Sequence, residues 1–327
     1  MAHEDLERLV KLETELRTHQ NMQVNGEDRV EHELRRVMSC IASVSKKINI
    51  DLKSLYRGYA GTQNIFGEQQ IRLDVLTDIR LKKRLGEESS FHVRQLASEE
   101  SDEVMVLAQD RGRYSVTFDP LDGSSVVDAN LSVGTILGFY DGDLLDGKSG
   151  RESMAGAMYI VYGPATTLVY AVPGRGAHEF VLDDGNFILE KEFLRMEEQG
   201  KIYAPGGSEK KWTPEHKAFI DDLKDQDYKL RYSGALVADV NHIIVKGGGI
   251  FSYPALTDAP NGKLRLLFEL QPLALIAEEM GGMATDGITP ILDLVPLDLG
   301  QRSPIYIGSK VEVELARGYL LRNNKTT

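Results

Sequence analysis

Strand-type patterning dominates residues 91–187, and segments of helical period flank it on both sides. Alternating runs such as Arg113-Tyr-Ser-Val-Thr-Phe118 and Met158-Tyr-Ile-Val-Tyr162 are broken by turn residues. So much sheet has two faces to cover, and the flanking amphipathic segments can cover them. The expected fold is therefore α/β: stacked layers of mixed sheet and helix, with a site where the parts of the chain meet. Helices are predicted at residues 5–17 and 28–47, the second capped by Asp28, and around 73–85. A Gly-rich polar stretch occupies residues 58–67. The polar linker 192–207 is the best boundary, dividing the chain into 1–198 and 199–327. Beyond it, Thr213-Pro214 opens a helix, and others are expected at 236–246, at 269–280 up to Gly281-Gly282, and from Ser309 after a strand at 305–308.

Within the strand region, residues 118–125 read Phe-Asp-Pro-Leu-Asp-Gly-Ser-Ser. Asp119 is expected at the carboxyl end of its strand, because Pro120 removes a ladder donor and Gly123 permits a sharp turn. Asp119 and Asp122 would then face one point, with the amides of Gly123, Ser124 and Ser125 turned toward an anion. Oxygen ligands beside a phosphate cradle are what a hard cation such as Mg2+ shares with its substrate. Asp-Pro and Asp-Gly are also ordinary turn chemistry, so the alternative is a solvated loop.

Further carboxylates decide between the two. Glu99 and Glu100 follow an alternating segment about twenty residues upstream, at the end of a possible neighbouring strand. Residues 264–269 form another apolar run closing on an acid, Glu269. Taken singly, these are a solvated acidic turn and a helix N-terminal glutamate. Three apolar runs ending in acid favour one acidic cluster at the edge of a sheet.

With these motifs the chain resembles the class I fructose-1,6-bisphosphatases, among the lithium-sensitive, Mg2+-dependent sugar and inositol phosphatases. The resemblance runs from about residue 57 to 310 and is carried by the order and spacing of Leu73-Asp-Val-Leu76, Ser98-Glu-Glu100, residues 118–125, Arg231-Tyr-Ser-Gly234, Ala238-Asp-Val240, Pro260-Asn-Gly-Lys-Leu-Arg265 and Gly281-Gly-Met-Ala-Thr285. It implies the layered α-β-α-β-α sugar phosphatase fold and a cage of two or three Mg2+ ions, with Mn2+ a substitute. Glu99, Asp119, Asp122 and Glu269 match direct metal ligands, with the Leu121 carbonyl on a second ion and Glu68 near a further one. Asp74 and Glu100 match the carboxylates that orient and deprotonate the attacking water. Gly123, Ser124 and Ser125, beside Asp122, match the cradle of the 1-phosphate, and Arg265 sits close to it. Arg231, Tyr232, Tyr253 and Lys263 match the residues that hold the 6-phosphate. The arginine at the position of Arg231 comes from a neighbouring subunit, so a homo-oligomer, a homotetramer, is implied. The chemistry is consistent with this. A phosphate dianion repels a nucleophile, and bound cations neutralise it, acidify water and stabilise the leaving alkoxide.

Departures from the pattern are specific. Glu68 stands where many members carry aspartate, and residues 202–209 lack the Asn and Tyr that relatives use on the 6-phosphate, leaving the amides of Gly206 and Gly207. Vertebrate relatives bind AMP with a Gly-Thr-Gly-Glu-Leu-Thr segment; here the chain reads Gly26-Glu-Asp-Arg-Val-Glu31. Arg113 and Tyr114 fit the rest of that site, but Asp141 replaces a phosphate-binding arginine, so AMP inhibition is expected to be weak or absent. Residues 142–149 match the P-loop pattern GxxxxGK[ST]. The strand-like segment that follows leaves little room for a helix, so a polar hairpin-type connection is expected and Lys148 should not bind nucleotide.

Bulk properties exclude other classes. The formal charge of -12 argues against binding nucleic acid or an anionic membrane. The single cysteine, Cys40, lies in an apolar stretch and suits core packing in a reducing compartment, so a cytoplasmic enzyme is expected. No signal-peptide pattern or membrane span is evident, and no HExxH supports a zinc hydrolase. The expected reaction is hydrolysis of fructose 1,6-bisphosphate to fructose 6-phosphate, in gluconeogenesis or the Calvin cycle. Sedoheptulose 1,7-bisphosphate is the rival substrate, and a catalytically weak binding protein the non-enzyme alternative.

Overall fold

The protein is described by a computed structural model over residues 26–53, 59–63, 69–87, 93–108 and 112–321. The expected helix at 5–17 and the candidate ligand Glu68 lie outside the described residues. The α-helices described are α1 (Gly26–Leu52), α2 (Arg72–Glu87), the single turn α3 (Gly150–Ser153), α4 (Pro214–Asp225), α5 (Leu236–Val245), α6 (Gln271–Glu279) and α7 (Lys310–Leu320). The first strands are β1 (Tyr59–Gln63), β2 (Gln69–Ile71), β3 (Gln95–Ser98), β4 (Met105–Val106), β5 (Tyr114–Asp122) and β6 (Val133–Asp141). Next come β7 (Met154–Tyr162), β8 (Thr166–Val172), β9 (Gly176–Asp183) and β10 (Asn186–Lys191). The remainder are β11 (Ile202–Pro205), β12 (Lys229–Leu230), β13 (Ile250–Tyr253), β14 (Leu264–Arg265), β15 (Met283–Thr285), β16 (Arg302–Ser303) and β17 (Ile305–Gly308).

Eight strands form one sheet in the order β10-β9-β8-β7-β6-β5-β3-β4, and five form another in the order β12-β11-β13-β17-β15. The large sheet is antiparallel except for the β3–β5 pair. Helices α1 and α2 pack on its outer face, α5 and α6 lie between the sheets, and α4 and α7 cover the far side of the small sheet. Helix, sheet, helix, sheet, helix is the layering expected.

Burial explains the sequence patterns. Helix α1 buries Leu34, Val37, Met38, Ile41 and Ile48 at helical spacing against the large sheet. Helix α6 is sandwiched between sheets, so Gln271 through Ala277 are all buried and its pattern is apolar nearly all round. Every residue of β5 is buried, because that strand is covered on both faces. Cys40, on the inner side of α1, is buried in the core, as expected.

Several local expectations are corrected. Helix α1 is already helical at Gly26, so Asp28 stands inside it rather than capping it; Glu27 is a good helix former and extends the helix. Part of the Gly-rich stretch pairs as an antiparallel hairpin, β1 with β2. Pro120 does not end its strand: β5 continues to Asp122 through a register shift between Asp119 and Asp122. A bulge needs no ladder donor at that point, which is where a strand tolerates proline. The linker 192–207 contains β11, paired parallel to β13. Instead of a regular helix from 269, a π-helical turn at Leu266–Leu270 leads into α6. The P-loop-like segment joins the antiparallel neighbours β6 and β7 through α3, with Lys148 donating to Asp146 (2.5 Å), so it forms a polar connection.

Candidate active site

Strands β3 and β5 run side by side in parallel, Ser98 opposite Phe118, and the Glu99 amide donates to the Phe118 carbonyl (3.0 Å). Glu99 and Glu100 are thereby set beside Asp119. Ser98 fixes the turn from below: its hydroxyl donates to Asp78 (2.5 Å) and accepts from the Glu100 amide (3.2 Å). Asp78 in turn pairs with Lys82 (2.7 Å), tying the strand end to α2, whose first turn carries the buried Asp74.

The bulge in β5 brings both its aspartates to bear. Asp119 accepts from the Leu121 amide (2.9 Å), and Asp122 from the Val237 amide (2.7 Å) at the start of α5. Glu269 arrives from the π-helical turn, where it accepts from the Arg265 amide (2.5 Å). That wider turn is met from the sheet: Thr117 and Tyr140 both donate to the Leu267 carbonyl, at 2.9 and 3.3 Å. Such turns recur at functional sites because they re-aim one side chain. Asp119, Asp122 and Glu269 each offer a carboxylate oxygen, and these oxygens lie within 4.8 Å of one another.

Gly123 follows with φ 82° and opens a 3-10 turn, Ser124–Val126. A Cβ there would fall 3.2 Å from Ala235 Cα and closer still to its Cβ, so only glycine lets the turn reach the base of α5. Asp239 braces the facing segment, accepting from the amides of Ser233 (2.8 Å) and Gly234 (3.4 Å).

These segments meet around one cavity of 570 Å3. Asp74, Glu99, Glu100, Asp119, Leu121, Asp122, Gly123, Ser124, Ser125, Tyr232, Tyr253, Lys263, Arg265 and Glu269 are brought together on its wall. Arg231 is not: it stands exposed and donates to the Leu230 carbonyl (2.7 Å). Glu99 is in the cavity, but its carboxylate pairs with the buried Arg265 rather than joining the three-carboxylate group. Residue patterns did not single out Val126 as a wall residue or Asp239 as a brace. The signal for Asp239 was present, since an acid in the first turn of α5 can reach back to free amides ahead of the helix.

The electrostatics are those of a cation site. Burial, then Asp122, Glu269, Asp74 and Glu100, raise the Asp119 carboxyl well above its usual range. Burial and Glu269 push Asp122 up to about 7, against the pull of the Val237 amide. A divalent cation would relieve this repulsion. Three buried carboxylates in a wall without histidine or cysteine are hard oxygen donors, which fit Mg2+ or Mn2+ rather than a thiophilic metal.

Fold and site have clear counterparts. The N-terminal domain of the fructose-1-6-bisphosphatase family matches residues 14–192, and its C-terminal domain residues 196–320. The chain is 49% identical over 312 residues to the fructose-1,6-bisphosphatase class 1 of Trichlorobacter lovleyi, covering 95% of this chain and 96% of that one. Its identity to the enzyme of the same name from Geobacter metallireducens is 50% over 286 residues, covering 86% and 89%. The holo crystal structure of Leishmania major fructose-1,6-bisphosphatase superposes with a TM-score of 0.86 at 33% identity, covering 96% and 99%. A Toxoplasma gondii structure provisionally named sedoheptulose-1,7 bisphosphatase gives 0.83 at 29%, covering 95% and 98%. The class these define is the phosphoric monoester hydrolases. Within it, the chain belongs to the class 1 fructose-1,6-bisphosphatase family.

Proposed function

We propose that the protein hydrolyses fructose 1,6-bisphosphate to fructose 6-phosphate and phosphate, with Asp119, Asp122 and Glu269 holding Mg2+. The observation that carries this is the convergence of three buried carboxylates with Lys263 and Arg265 in one cavity. When bound, the metal would neutralise the phosphate, acidify water and stabilise the leaving alkoxide. The residues of the chain do the rest. The turn after Gly123 presents the amides of Ser124 and Ser125 to the 1-phosphate, and Arg265 adds positive charge from beneath. Asp74 or Glu100 accepts the proton of the attacking water. Tyr232, Tyr253 and Lys263, on the wall of the same cavity, receive the 6-phosphate.

Glu99, the Leu121 carbonyl and Glu68 are the further metal contacts in this reading, with Mn2+ a workable substitute. For Glu99 to bind a metal, its pairing with Arg265 must yield. The division at 198/199 separates a half carrying most metal ligands from one carrying the distal phosphate site. Arg231, exposed and turned from its own cavity, is available to the site of a neighbouring subunit in a homotetramer. Sedimentation of the full chain checks this: a stable monomer that retains full activity would remove Arg231 from the site. Among the described residues no helix is long and apolar enough to cross a membrane, and a cytoplasmic setting is proposed. Comparing turnover of fructose 1,6-bisphosphate and sedoheptulose 1,7-bisphosphate tests the substrate; a strong preference for the seven-carbon ester would overturn it.

A further inference from the structure

The part of the cavity wall formed by Tyr253 depends on a residue that lines none of it. Strands β11 and β13 pair in parallel up to Pro205 opposite Ser252, and the Gly206 amide extends the ladder by donating to the Ser252 carbonyl (2.7 Å). The Gly206 carbonyl is held from the other side by the Trp212 indole N–H (2.9 Å). Trp212 is itself paired with Leu256 as an isolated bridge, and the Thr257 amide donates to the Lys211 carbonyl (2.9 Å). Both polar groups of Gly206 are therefore spoken for, and the two loops around it are laced together.

Against this fixed backbone lies the Tyr253 ring. A Cβ on residue 206 would collide with that ring, 2.7 Å from Cε2, 3.0 Å from Cγ and closer still to Cδ2. Real Cβ atoms do not come so near, and the atoms met include the root of the ring rather than a flexible tip. Gly206 cannot retreat, since its amide and carbonyl are both tied. The ring would have to swing away from residue 206, and the cavity that it lines gives it the room.

We propose that Gly206 is a positioning residue for the substrate, its missing side chain seating the Tyr253 ring and so fixing the part of the cavity wall that the ring forms. This rests on the proposed function only in taking that part as the 6-phosphate site. Lacking a side chain, Gly206 acts through the ring alone and makes no contact with the sugar.

The test is calorimetric binding of fructose 6-phosphate to the full-length protein as wild type, Gly206→Ala, Tyr253→Ala and the double variant, with turnover measured in parallel. Gly206→Ala is expected to weaken binding and raise KM roughly tenfold with kcat within about twofold, since only the ring has moved. In the Tyr253→Ala background the same substitution should add little, because partners acting as a unit are not additive. Equal effects of Gly206→Ala in both backgrounds would overturn the proposal, as would wild type failing to bind fructose 6-phosphate. Should Gly206→Ala alone fail to fold, a double variant that folds supports the clash and one that does not overturns it. Wild type that binds fructose 6-phosphate but does not hydrolyse the bisphosphate would sink the proposed function and leave the binding cycle to decide the role of Gly206.

Discussion

The carboxylate of Asp122 accepts a hydrogen bond from the Val237 amide at 2.7 Å, across 115 positions of sequence. It joins the end of β5 to the start of α5, and so ties the carboxylate cluster to the segment that carries Tyr232. An anion at a helix start is favourable, yet burial and Glu269 push its proton affinity up. A group held in that balance is poised for a cation.

Asp122→Asn keeps the acceptor for Val237 and removes the charge. The metal-free variant is expected to melt higher than metal-free wild type, since repulsion with Glu269 is gone. Its rise in Tm on adding MgCl2 should vanish, as ligand-linked stabilisation requires the site. Thermal melts with and without MgCl2 check both; an undiminished metal-induced rise would place the ion elsewhere.

Lys263→Ala should weaken the hold on the distal phosphate and raise KM by roughly tenfold or more, with a smaller effect on kcat, as expected for a charge-assisted contact kept through the reaction. Steady-state kinetics decide. An unchanged KM would show that this phosphate lies elsewhere.

AMP at low micromolar concentration should leave turnover unchanged. Arg113 is engaged by Asp141 at 2.7 Å, and an acid at that place repels phosphate. Potent inhibition would refute this. Lys148→Ala should likewise leave turnover within about twofold, because Lys148 is bound to Asp146 on a connection remote from the cavity wall.

How far this was legible follows from which interactions are local. Asp119, Asp122 and Gly123 were readable because strand, proline and glycine signals sit within eight residues of sequence. That Glu99 and Glu100 lie at a strand end was expected; the parallel register of β3 against β5, Ser98 opposite Phe118, was not. The bulge at Pro120 was not either, since it depends on how Ile136 and Gly134 lie opposite it. Nor was the π-helical turn at Glu269. Its shape is set by Thr117 and Tyr140 reaching Leu267 from 150 and 127 positions away. The pairing of Arg265 with Glu99 and the seat of Tyr253 on Gly206 are tertiary in the same sense. The candidate metal ligands were assigned by resemblance more than by pattern.

His216 supplies a pH prediction away from the site. It is buried, with Nδ1 3.1 Å from the Tyr306 hydroxyl and its ring edge-on to Trp212, and burial pushes its pKa down to about 3. Because the folded value lies below the unfolded one, the unfolded chain takes up a proton first. The stability contributed is complete above pH 6.5 and is lost as pH falls from 6.5 toward 3, by at most about 1.4 kcal/mol per pH unit. Chemical denaturation from pH 7 to pH 4.5 should show a shallower loss for His216→Gln than for wild type. Equal slopes would mean the imidazole is charged in the fold.

Metal-dependent hydrolysis is tested most simply by release of phosphate from fructose 1,6-bisphosphate by wild type and Asp122→Ala, each titrated with MgCl2 and then treated with EDTA. Turnover by wild type is expected to require Mg2+ and to be abolished by EDTA. The rate of Asp122→Ala is expected to be lower by roughly a hundredfold or more, while its binding of fructose 6-phosphate partly survives. A near-normal rate in the variant, or hydrolysis that persists in EDTA, would contradict this.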